Sequence, residues 1–271
     1  MGTPAQAHGH TSPHSLPPPL RNNYWLLRHG RSLANEAEVI VSLLENGIQH
    51  KWSLSPTGLL QAQAAVTATA APAALEADAA DAPLCSASLS SSRGAAQLSV
   101  APLASLQQGA STGGIVDSPT PELQPDVLLH YVYTSPFSRT VLTAQTAAGV
   151  AGMCTTGSQF RECVDLRERF FGSDLELQPY AAAYGHIWEH DELSAESHPG
   201  GGDGESVKDV AARIQLMFQR LEDEHQQGGL NILLVSHGDT LSILQATMTG
   251  CGAQLGHHRR FAFETAELRR L

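Results

Sequence analysis

Short apolar runs alternate with segments whose apolar residues recur at helical spacing, and this alternation organises most of the chain. Tyr24–Arg28 is an apolar run that ends at His29-Gly30 and reads as a strand followed by a turn. Ser55-Pro56-Thr57-Gly58 then opens an Ala/Leu-rich helical stretch to about Ala71. Val127–Thr134 is the next strand, stopped by Ser135-Pro136, and Ser138–Val150 is the next helix. Val164–Glu168 reads as a short strand end. Between Ser206 and His225, Val207, Val210, Ala211, Ile214, Met217, Phe218 and Leu221 form one buried stripe. Ser206 and Asp209 have capping-box spacing, and Gly228-Gly229 stops that helix. Leu230–Val235 is the clearest buried strand, Asp239–Met248 a further helix, and Phe261–Leu268 alternates like an edge strand. Such alternation implies an α/β fold, a three-layer sandwich with a mostly parallel central sheet, helices on both faces and one antiparallel edge strand.

Two regions break the pattern. Residues 1–22 are rich in Pro and His and carry no charge before Arg21, so a disordered N-terminal arm is expected, with an organellar transit peptide as the alternative. Within 76–125, 28 of 50 residues are Ala, Ser, Pro or Gly, and no aromatic residue is present. This segment reads as a low-complexity insertion in a loop of a single catalytic domain, 23–271, because it cannot bury enough apolar surface to offset its ordering entropy.

Composition narrows the function. A net charge of −11 argues against a protein that grips nucleic-acid backbone, yet leaves room for an anionic substrate in a locally positive pocket. The strongly apolar stretches, Ile232–Val235 among them, fall far short of the ~20 residues of a membrane span. Cys85, Cys154, Cys163 and Cys251 contain no CxxC pair and read as free thiols in a reducing compartment. The expectations are thus no nucleic acid, no membrane, no cofactor and no metal. A cytoplasmic location is expected, with a homodimer allowed. His186, His190, His257 and His258 are read as surface histidines.

In a parallel sheet, ligands bind beyond the carboxyl ends of the strands. Three predicted strands end there in Arg28-His29-Gly30, in Ser135-Pro136 with Arg139 just beyond, and in Ser236-His237-Gly238. Glu168 ends a fourth candidate. Two guanidinium forks match phosphate oxygens. An imidazole among them is biased to its neutral, nucleophilic form, and a carboxylic acid can protonate a leaving alkoxide. Such a set needs no metal.

These blocks carry a resemblance. Arg28-His29-Gly30-Arg31-Ser32-Leu33-Ala34-Asn35 resembles the RHGxSxxN motif of the histidine phosphatase superfamily, phosphoglycerate mutase-like branch. Ser135–Thr140 with Thr143-Ala144, Leu166–Gly172, Gly204-Glu205-Ser206 and Ser236-His237-Gly238 are similar to its further motifs, in the right order. The resemblance covers residues 23–75, 126–249 and 261–271. It implies that His29 is the phosphorylated nucleophile, that Arg28, Arg139 and His237 hold the phosphoryl group, and that Glu168 is the proton donor. Asn35, Gly238, Ser32 and Arg169 are expected to bind substrate, with Ser206 either supporting the site from behind or capping its helix, and Glu205 structural.

Only 37 positions separate Glu168 from Glu205, shorter than the lid of the mutases in that family. Phe170–Val207 holds no Lys or Arg, eight acids, and Phe170, Phe171, Tyr180, Tyr184 and Trp188. An acidic, aromatic lid is expected to suit a monophosphate whose remainder is neutral, cationic or partly apolar. A metal-independent phosphomonoesterase acting on a small phosphorylated metabolite, a sugar phosphate or phosphoamino acid, is therefore favoured. The alternatives are a mutase-type phosphotransferase and a scaffold protein on a phosphatase-like fold.

Overall fold

The computed structural model describes residues 19–67, 128–250 and 252–271. The chain divides into two units, 1–71 with 120–271, and 72–119. The second unit, the expected insertion and most of the expected arm lie outside the described residues. Residues at the inner end of that arm are held in place: Arg21 pairs with Glu222 at 3.2 Å, and Asn22 donates to Glu222 and to the His225 carbonyl.

Five strands form one sheet: β1 (Asn23–Arg28), β2 (Tyr131–Thr134), β3 (Phe160–Glu162), β4 (Asn231–Ser236) and β5 (Leu268–Arg270). Their spatial order is β3-β2-β4-β1-β5. The first four run parallel, and β5 is antiparallel to β1 at one edge. Seven α-helices accompany them among the described residues: α1 (Leu33–Glu36), α2 (Leu44–Gly47), α3 (Pro56–Thr67), α4 (Ser138–Val150), α5 (Tyr180–Leu193), α6 (Val207–Glu224) and α7 (Gly238–Met248).

Strand alternation sorts the core into two halves. Leu26, Tyr133, Ile232 and Leu234 point to the α6–α7 side, where they meet Ile214, Met217, Leu241 and Leu244. Trp25, Leu27, Val132, Leu233 and Val235 point the opposite way, onto Val66 of α3 and Ala144, Ala147 and Ala148 of α4. A strand buried on both faces reads as an unbroken apolar run, which is why β1 and β4 stand out in the sequence. The amphipathic α6 keeps the expected cap: Ser206 Oγ accepts from Asp209 N, and the Asp209 carboxylate accepts in return from Ser206 N.

Two expected strands are corrected. Val164–Leu166 is a 3₁₀ turn, with Val164 half exposed, and the strand beside β2 is Phe160–Glu162. The edge strand starts at Leu268; Phe261 belongs instead to the 3₁₀ stretch Gly252–Phe261. No helix among the described residues is long and apolar enough to cross a membrane.

Candidate active site

The parallel register lines up the ends of β1 and β4, with Arg28 opposite Ser236. His29 and His237 therefore emerge side by side, although 208 positions apart. Their rings meet edge to face with centroids 5.2 Å apart. Neighbouring β2 ends in the same layer and delivers Ser135, while the first turn of α4 delivers Arg139. Arg28, His29, Asn35, Arg139, Glu168 and Gly238 all face one cavity of about 270 Å³.

His29 is 3 % exposed, and its Nδ1 lies 2.7 Å from the Gly30 carbonyl. A carbonyl only accepts, so Nδ1 carries the proton and Nε2 keeps its lone pair. Arg139 Nε donates to that bare Nε2 at 3.2 Å. Burial, then the charges of Arg139 and Arg28, hold the His29 pKa well below the usual histidine range, so the ring is neutral at pH 7. His237 is held low by burial and by Arg139 in the same way. Its Nε2 is tied to Ser135 Oγ at 2.8 Å, which turns Nδ1 inward, 3.8 Å from Glu168 Oε2.

Two buried guanidinium donors beside His29, Arg28 Nε and Arg139 Nη1, have no hydrogen-bond partner, and His237 Nδ1 has none either. Orphaned buried donors cost about 1–3 kcal/mol each, and both arginines line the same cavity, which marks a place built for acceptor oxygens. Each arginine is anchored by its other nitrogens, Arg139 Nη2 to the Val41 carbonyl at 2.9 Å and Arg28 Nη1 to the Phe263 carbonyl. Burial brings the Arg139 pKa down to about 10, which still leaves it charged at pH 7. Gly238, first residue of α7, lets Arg28 approach: a Cβ there would sit 3.1 Å from Arg28 Cζ and Nε.

Glu168 follows the 3₁₀ turn, which Ser236 Oγ and Thr240 Oγ1 fasten by donating to the Leu166 and Arg167 carbonyls, at 2.6 and 2.9 Å. Its Oε1 accepts from Arg169 N at 3.0 Å. Burial, helped by Asp239, raises its pKa against the pull of Arg139 and Arg28. Underneath, Arg213 of α6 forms a two-pronged pair with Glu205, which gives Glu205 the structural place expected of it.

Not every expected residue reaches the cavity through its side chain. Ser32 caps α1, its Oγ bonded to Asn35 N and Asn35 Oδ1. Asn35 spends Oδ1 on that box and keeps Nδ2 free of hydrogen bonds among the described residues, at the cavity wall. Arg169 is a correction. Fully buried behind the cavity, it spends its guanidinium on Asp191 (2.6 and 2.8 Å), Asp239 (3.1 Å) and the Glu205 carbonyl (2.8 Å). It holds the walls together and does not line the cavity. His258 is also corrected. It is buried, with Nε2 3.1 Å from Asp239 Oδ1.

The lid is walled by aromatics. Tyr180, Tyr184 and Trp188, at four-residue steps on α5, stack in series with centroids 5.6 and 5.1 Å apart and line the cavity. Several of its acids hold structure: Glu176 accepts from Ser42, Leu43 and Asn46, Asp191 binds Arg169, and Asp203 accepts from Ser173. Sequence reasoning missed Arg259, which also lines the cavity. No motif announces it; the only signal was a basic pair beside two histidines. Among the described residues no group of three or more His, Cys, Asp or Glu is placed to hold a metal ion.

Residues 121–271 match the family model of the histidine phosphatase superfamily (branch 1), and the chain belongs to that family. The match begins after the Arg28–Asn35 block, which the β1–β4 pairing brings to the site. Solved structures share the fold. A mycobacterial glucosyl-3-phosphoglycerate phosphatase complexed with VO3 is 20% identical, with TM-score 0.58, over 92% of this chain and 90% of that one. The α-ribazole phosphatase of Shigella flexneri is 20% identical, with TM-score 0.54, over 91% and 88%. A phosphoserine phosphatase variant of Entamoeba histolytica in complex with phosphoserine is 14% identical, with TM-score 0.55, over 91% and 88%. A comparison with curated protein sequences finds no match.

Proposed function

We propose that the protein is a phosphomonoesterase working through a phosphohistidine at His29, without a metal. The observation that carries this reading is the pair of orphaned guanidinium donors, Arg28 Nε and Arg139 Nη1, in the cavity that also holds the bare His29 Nε2, with His237 Nδ1 unpartnered beside it. Donors fixed where charge develops favour the transition state over the substrate.

In the first half-reaction His29 Nε2 attacks phosphorus, the P–O ester bond breaks, and Glu168, kept protonated more readily by its buried setting, gives its proton to the departing alkoxide. In the second half Glu168, now a carboxylate, takes a proton from water, whose oxygen attacks phosphorus. The P–N bond breaks and His29 returns neutral, with inorganic phosphate as product. The cations stay fixed throughout and supply the charge a metal would otherwise bring.

The test is covalent trapping. Rapid quench with a ³²P-labelled ester labels the wild type on His29, and the label is lost in acid and kept in alkali, as a P–N bond requires. His29→Ala takes up no label and shows no turnover. Label on another residue, or an acid-stable bond, overturns the proposal.

A further inference from the structure

The lid itself supplies no base, which alone points to a leaving group without negative charge. The folded chain brings a base in from elsewhere. Gly256 lies directly on α5, so close that a Cβ there would sit 2.1 Å from the Asp191 carbonyl oxygen. This contact carries Arg259 over Trp188, with its guanidinium carbon 4.0 Å from the ring centroid. The indole cannot swing away, since Nε1 donates to Asp239 Oδ1 at 3.2 Å. The side chain is 30% exposed and lines the cavity.

Asp239 pairs with this arginine through charge and leaves its hydrogen-bond donors unused. Its carboxylate already accepts from Arg169 at 3.1 Å, His258 at 3.1 Å and Trp188 at 3.2 Å. Arg259 Nη1 stands 3.7 Å away, outside hydrogen-bond range. No side-chain N–H of Arg259 has a hydrogen-bond partner among the described residues. A stacked guanidinium keeps its edge donors available, and that edge matches a carboxylate fork to fork. A second phosphate is served worse: Arg28, Arg139 and His237 are taken by the reacting phosphoryl group, and a dianion would meet Asp239 with a single cation for support.

We infer that Arg259 binds a carboxylate on the leaving group, so that the preferred substrates are phosphomonoesters of hydroxy acids. This deepens the phosphatase reading above and rests on it.

Two matched pairs isolate the carboxylate: 3-phosphoglycerate against glycerol 3-phosphate, and phosphoserine against phosphoethanolamine. In the wild type the acid member of each pair is favoured in kcat/KM by roughly 10–100-fold, the range of a charge-assisted bond. In Arg259→Gln both ratios fall toward one, and Arg259→Lys recovers part of them, since an ammonium keeps the charge and loses the fork. Ratios near one in the wild type, or unchanged in Arg259→Gln, overturn the inference, as does a clear preference for a nucleoside monophosphate. Calorimetric binding of glycerate reads the arginine without turnover. It is about tenfold weaker or more in Arg259→Gln, and equal affinity refutes the assignment. Absence of p-nitrophenyl phosphate hydrolysis, with glycerate still discriminating, would sink the phosphatase reading alone.

Discussion

Replacing Glu168 by Gln separates proton donation from every other duty of that side chain. The amide keeps shape and volume, and its carbonyl can still accept from Arg169 N, the 3.0 Å bond that fixes Oε1. The NH2 then takes the Oε2 position, 3.8 Å from His237 Nδ1, a contact long enough to tolerate two donors. What is lost is the proton. General acid help is worth about 10²–10⁴-fold, or about 2.7–5.5 kcal/mol at 1.36 per decade, where the leaving alkoxide is a strong base. A p-nitrophenolate leaves without it. In steady-state assays, kcat/KM of Glu168→Gln on an alkyl phosphate is expected to drop by that amount, while p-nitrophenyl phosphate loses roughly tenfold or less. Equal losses on both esters would refute the assignment of Glu168 as acid. The same substitution has a stability signature. The folded pKa of Glu168 lies above its unfolded value, so the native state holds the extra proton and wild-type stability falls as pH rises through that window. Above the window Gln carries no buried charge, and thermal melts should show the variant at least as stable as the wild type.

Further outcomes are expected. The pH–rate profile for alkyl esters declines on the alkaline side as Glu168 ionises and holds on the acid side well below pH 6.5, because His29 resists protonation; a profile limited by a group near 6.5 on the acid side contradicts this. Gly238→Ala pushes a methyl group to 3.1 Å from Arg28 and should cut turnover by up to about 10²-fold with the melting temperature nearly kept; full activity would show that Arg28 does not need that approach. Arg169→Met leaves Asp191 and Asp239 short of their buried counter-ion and should cost roughly 3–5 kcal/mol in urea unfolding, where a change under 1 would show the pair to be dispensable. Exhaustive chelation should leave hydrolysis intact, and activity lost to EDTA and restored by Mg²⁺ or Zn²⁺ would overturn the metal-free proposal.

Much of the fold was legible because β1, β4 and α6 carry uncompromised patterns, two strands buried on both faces and one clean amphipathic stripe. The elements that misled are those whose pattern is set by neighbours. Phe160–Glu162 has a single apolar side chain and is a strand only because β2 offers it an edge, while the apolar look of Val164–Leu166 hides a half-exposed valine in a tight turn. Phe261 and Phe263 mimic alternation, yet Phe263 lies against the Arg269 guanidinium, and only Leu268–Arg270 pairs. In the site, side chains attached to strand ends were readable because the topology fixes where strand ends go. Arg169 and Arg259 were not, since their roles depend on which way a loop turns its side chains: one faces inward onto Asp191, the other lies over Trp188.

The place of β1 in the sheet has a consequence for the nascent chain. Its two edges are taken by β4 and β5, and by no strand nearer in sequence. During synthesis the first strand, with its apolar Tyr24–Leu27 run, therefore waits with both edges unpaired until β4 has been made, and with one edge open until β5 follows. His29 and His237 cannot meet before then. The delay also leaves a sticky segment open to other chains throughout, the non-local pairing that slows folding and invites aggregation.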